Sequence, residues 1–147
     1  VLHALDTIAS RSGKPLRVTE IGADSLNGLS VDVQEPTTHI NVDHYLVAPD
    51  GSVSGPTPVK VMSLDGGPIT VSTVDSRAFD PKRIAFARLT QTAREAIAKS
   101  NYPDARVSQW EFGGIRPDDR KYIYLQASRA RPVAEVSPSL QILRMQF

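Results

Sequence analysis

The sequence predicts an α+β fold of two tandem repeats, each one helix packed on an antiparallel β-meander. Three observations carry that expectation. The phrase "LDTIASRSGKPLRVTEI" (5–21) has an echo in "REAIAKSNYPDARVSQW" (94–110). Each copy opens with an apolar stripe at helical spacing and closes on a run that alternates. Further runs of period two follow each copy, separated by Gly, Pro, Asn and Asp. The expected repeats are residues 1–75 and 76–147. One helix on one small sheet makes a thin core, so the two are expected to pack as one unit.

A shift of 89 residues aligns the copies without a gap. Ala4, Ile8, Ala9, Arg17 and Val18 then meet identical residues at Ala93, Ile97, Ala98, Arg106 and Val107. Asp6 meets Glu95, Thr19 meets Ser108 and Glu20 meets Gln109.

In the first copy Leu2, Leu5, Ile8 and Ala9 form the helical stripe, which Gly13 and Pro15 end. Strands are expected over 16–23, 28–34, 39–48 and 58–62, with a further strand or extended connector over 68–74. Leu29, Val31 and Val33 alternate with Ser30, Asp32 and Gln34, which marks one buried and one wet face. Pro49-Asp50-Gly51 reads as a turn.

In the second copy Asp80 is a good N-cap and Pro81 suits the first helical position, where its missing donor costs nothing. Phe86, Leu89, Ala93, Ala96 and Ile97 continue that helix as one stripe, and Asn101, Pro103 and Asp104 end it. Under the shift Pro81 falls before Val1, so the chain is expected to begin inside its first helix, about two turns in. Strands are expected over 105–112, 121–128 and 140–147, with a weaker one over 133–136 between Pro132 and Pro138.

With these elements in place, "ALDTIASRSGKPLRVTEI…LSVDVQEPTTHINVDHYLVAPDGSVSG" resembles the PepSY-like pattern. That pattern runs from an Ala-rich helix through a strand, a Gly/Asn loop and an alternating strand to a strand ending in an Asp-Gly turn. The tandem arrangement is similar to the broader group that includes beta-lactamase-inhibitor-like proteins. The second copy departs from the pattern in lacking the Asp-Gly turn. The resemblance implies exported bacterial proteins of the periplasm or cell envelope, often lipid-anchored, that bind other proteins and sometimes inhibit them. It implies a lipid anchor upstream of Val1 and brings no catalytic residues.

Composition bounds the alternatives. Hydrophobic residues make up 40% and charged residues 22% of 147, ordinary for a globular chain. No apolar run approaches the roughly 20 residues of a transmembrane helix, and no secretory leader pattern is present. The first residue is Val, which reads as a processed or trimmed chain. With no cysteine, disulfides, thiolate metal sites and cysteine nucleophiles are excluded. Residues 1–75 carry four Lys/Arg against nine Asp/Glu, net −5, while 76–147 carry thirteen against seven, net +6. That polarity suits a charged partner, or self-association between oppositely charged halves.

No catalytic, cofactor or metal site is expected. In "HINVDH", His39 and Asp43 would share a strand face but lie roughly 13 Å apart, and His44 would point the other way. "SVSGP" lacks the elbow of a serine hydrolase, and Asp118-Asp119 beside Arg116 and Arg120 reads as a charged turn. Basic residues near aromatics in the second half would suit nucleic acid, but Trp110 matches Ile21 and so reads as core. No nucleic-acid partner is expected.

The leading reading is therefore a non-enzymatic envelope module that binds another protein. Arg120, Tyr122, Tyr124, Arg129 and Arg131 are the candidate partner-binding residues, since Tyr and Arg on a rigid sheet favour interfaces. The alternative is a cystatin-like α+β domain that holds a small ligand in its helix–sheet cleft.

Overall fold

The computed structural model describes residues 1–63, 66–113 and 121–147. Eight strands form: β1 (Val18–Asp24), β2 (Gly28–Gln34), β3 (Val42–Val47), β4 (Val53–Val59), β5 (Arg106–Gly113), β6 (Lys121–Gln126), β7 (Val133–Val136) and β8 (Ile142–Gln146). All join one antiparallel sheet in the order β4-β3-β2-β1-β5-β6-β7-β8. The fold is α+β, and its centre is the pairing of β1 with β5.

Helices α1 (Leu2–Ser12) and α3 (Leu89–Lys99), eleven residues each, lie on the same side of the sheet. Their apolar stripes meet strand residues of matching parity, and Leu5, Ile8 and Ala96 share one core with Val31, Tyr45 and Phe112. Phe86, Trp110 and Phe112 form an aromatic cluster with centroids 5.0 to 5.9 Å apart. Polar contacts fix both helices: Arg11 Nη1 donates to the Val53 carbonyl at 2.8 Å, and Thr92 Oγ1 to that of Leu140 at 2.7 Å.

Three expected elements differ. The strand expected over 58–62 lies earlier, because the turn at Ala48–Ser52 brings Val53 directly opposite Val47. The segment 68–74 is no strand: Thr70 and Thr73 cap each other's backbone N–H reciprocally and start the short helix α2 (Val71–Asp75). Its apolar content is explained by Val74, which is fully buried. The long helix expected from Pro81 is also broken. Asp80 does accept from the Lys82 N–H, but the 3-10 turn it caps ends at Arg83, and Ile84 is extended. A second 3-10 turn, Phe86–Arg88, precedes α3. Ile84 and Phe86 are both buried, and a straight helix would not deliver both to the core from this entry.

Two irregularities recur. The β1–β2 register shifts between Val18 and Glu20, and the β5–β6 register between Val107 and Gln109. At the first, Thr19 Oγ1 donates to the Asp32 carbonyl at 3.4 Å; at the second, Ser108 Oγ donates to that of Tyr124 at 3.2 Å. The two sheet edges differ. β4 contains Pro56 and Pro58, which lack a donor, whereas β8 has no proline.

Gly22 faces Glu111 at the central pairing, where an added Cβ would lie 2.8 Å from the Trp110 carbonyl oxygen. Gly22→Ala is therefore expected to force β1 from β5 and cost about 1–3 kcal/mol. Urea denaturation would show it as a lowered midpoint with an unchanged slope.

Candidate functional site

Alternation sends one set of strand side chains to the helices and the other to the opposite, wet face. Cross-strand pairing lays the wet face out in rows. One row holds His44, Asp32 and Glu20 in direct succession. The next runs Ser30, Gly22, Glu111, Tyr122, Glu135 and Arg144. No described helix lies over these strands except at the Gln34–Val42 end, where α2 packs.

That end is pinned by polar contacts. Gln34 Nε2 donates to Asp75 Oδ1 and to the His39 carbonyl, both at 2.7 Å. His39 Nδ1 lies 3.4 Å and Arg17 Nη1 4.0 Å from the same carboxylate. The Gln34 amide, followed by hydrogen bonding from His39 and the charge of Arg17, holds Asp75 below the ordinary carboxylate range. His39 therefore does not share a strand face with Asp43. It sits before β3 with φ 58°, reaching across to α2.

Between α2 and the row of three lies an open recess of about 150 Å³, with Glu20, Asp32, Val42, Lys60 and Arg77 among its walls. His44 donates from Nδ1 to Asp32 Oδ1 at 2.5 Å, since an ionised carboxylate only accepts. Glu20 is the perturbed group. Burial pushes its carboxyl up to about 6, Glu111 and Asp32 add to the rise, and His44 opposes it. Among the described residues no three His, Asp or Glu side chains converge as metal ligands.

The expected site residues separate. Tyr122 and Tyr124 both lie on the wet face, half-buried, with ring centroids 5.9 Å apart. The direct cross-strand neighbours of Tyr122 are Glu111 and Glu135, and Glu135 accepts from Arg144 at 3.0 Å. Arg129 and Arg131 are exposed in the turn between β6 and β7, at the Tyr124 end of the strand. Arg120 and the Asp118-Asp119 turn lie outside the described residues. Trp110 pairs with Ile123 and belongs to the helix side. Sequence reasoning missed the Glu20–Asp32–His44 row, because only the register of three strands makes them neighbours.

A larger groove, about 1210 Å³, opens on the helix side between α1 and residues 78–83. Leu2, Leu5, Leu16 and Phe79 line it, with Lys14 and Lys82 among its charged residues.

The chain matches no protein-family model and no curated protein. Among solved structures it is similar to a predicted lipoprotein from Clostridium difficile 630. The two share 15% sequence identity with a TM-score of 0.67, over 99% of this chain and 90% of that one. That likeness is one of fold.

Glu20 carries a prediction. Its folded pKa of about 6 exceeds the ordinary 4.5, so the proton binds more tightly in the folded state. The stability it contributes is fully present below pH 4.5 and is lost as pH rises through about 6. Glu20→Gln should match the wild type in acid and exceed it in stability above about pH 7. In carboxyl-carbon NMR, Glu111→Gln should lower the Glu20 pKa and His44→Ala should raise it.

Proposed function

We propose that the chain is a non-enzymatic bacterial envelope module, periplasmic or lipid-anchored, that binds another protein through the wet face of its sheet. The observation that carries this reading is that the two long helices, α1 and α3, cover only one side of an eight-stranded sheet. On the other side, α2 packs at the Gln34–Val42 end and the rest is a polar surface that carries the Tyr122–Tyr124 pair on β6. Tyrosines on a fixed strand lose little side-chain freedom on docking, and flanking charges supply selectivity. Arg129 and Arg131 would extend the surface past the strand end. The action would be steric masking or scaffolding of the partner.

The same proposal reads the chain as two helix-on-meander repeats, 1–75 and 76–147. Gly22 and Glu111, related by the shift of 89, are direct partners in β1–β5, as a two-fold axis between equivalent halves requires. The register shifts at Val18/Glu20 and Val107/Gln109 are related by the same 89. Thr19 and Ser108, which match in sequence, donate across those shifts in the same way.

The envelope location is supported by the solved neighbour, a predicted lipoprotein. No described helix is long and apolar enough to cross a membrane. A second reading, small-ligand binding, draws on the groove beside α1.

Affinity capture from a bacterial envelope extract tests the leading reading. One partner should be retained by the wild type and depleted at least tenfold by Tyr122→Ala/Tyr124→Ala, with the far-ultraviolet spectrum unchanged. Equal retention by the double variant would sink the wet-face reading. Fractionation of the protein into the cytosol would sink the envelope location.

A further inference from the structure

We propose that the outer edge of β8 is a strand-addition site for an extended, proline-free segment of another protein that alternates acidic and apolar side chains. This stands apart from the wet-face reading, because it uses backbone groups of an edge strand and needs neither tyrosine.

An eight-stranded open sheet has two edges, and each presents unpaired N–H and C=O groups that template another strand. This chain blunts one of them. Pro56 and Pro58 remove donors from β4, Gly55 adds a positive φ of 108°, and the β3–β4 register breaks between His44 and Leu46. None of these devices except a register shift occurs on β8, over ILRMQ. The outward backbone groups of β8 have no backbone partner among the described residues. Its one charge, Arg144, pairs with Glu135 at 3.0 Å on the wet face and so does not guard the edge. Leu143 is 62% exposed, an apolar side chain next to the outward donors and acceptors of the strand.

Charge selects the occupant. Val133 pairs with Gln146, which puts the β6–β7 turn beside the end of β8. Arg129 and Arg131 in that turn are exposed. Residues 76–147 carry thirteen Lys/Arg against seven Asp/Glu. A second copy offering β4 would bring its prolines, and a basic strand would meet Arg129 and Arg131. An acidic strand from a different protein meets neither obstacle.

The probe is a short capped peptide alternating valine and glutamate, titrated into the isotopically labelled protein. The backbone amides of residues 142–146 should gain at least tenfold protection from hydrogen exchange. Methylating alternate peptide nitrogens removes the donors on one edge of the peptide at a time. One methylation phase should abolish binding and the other preserve it, a contrast that leaves the fold of the protein untouched. Arg129→Glu/Arg131→Glu should weaken binding at least tenfold, and a valine–lysine peptide should bind at least tenfold more weakly. The proposal fails if the protection falls on Tyr122 and Tyr124 instead of β8, or if both methylation phases bind equally. It also fails if millimolar peptide leaves β8 unprotected, or if sedimentation shows a dimer whose own β8 amides are protected.

Discussion

The antiparallel pairing of β1 with β5 is the constraint on which the rest depends. Every other strand pair joins neighbours in sequence, whereas this one brings Gly22 to Glu111. Without it, each helix would cover a four-stranded sheet too small to enclose a core. With it, Leu5 and Ile8 from one end of the chain share a single apolar cluster with Phe86 and Ala96 from the other. The absence of a side chain at Gly22 is what permits the close approach. Burial then stabilises the pair from the helix side while hydrogen bonds do so within the sheet.

The same pairing concentrates charge on the wet face. Glu20 and Glu111 come from opposite halves of the chain, and their mutual repulsion exists only because β1 and β5 are neighbours. The protein tolerates it by setting His44 against Asp32 and Arg144 against Glu135, so two of the nearby carboxylates are already satisfied. Glu20 is left half-buried beside the recess, with its ordinary ionisation opposed.

Much of the fold was legible because local periodicity and local burial agree. β2 is the clearest case: its Leu29, Val31 and Val33 alternate cleanly, and they are the core residues of that strand. The segment around Pro81 was misjudged because a good cap followed by proline describes only the first turn, and nothing local says that Ile84 must be extended to enter the core. Of the strand or extended connector expected over 68–74, the strand failed for a related reason. Ile69, Val71 and Thr73 alternate, but a reciprocal Thr70–Thr73 cap outweighs a short alternating run. At the candidate site, period two puts Tyr122 and Tyr124 on one face of a strand without saying which face is wet. Their acidic neighbours do not follow from it, because Glu111 and Glu135 are set by registers that a single sequence does not reveal.

The prolines of β4 have a consequence for assembly. Sheets with two open edges can join head to tail, each chain receiving a strand on one side and offering one on the other, and such contacts propagate as filaments. Here Pro56 and Pro58 close one side. A chain of this kind can terminate a stack but cannot serve as a link within one, so strand sharing at its other edge stops after a single step.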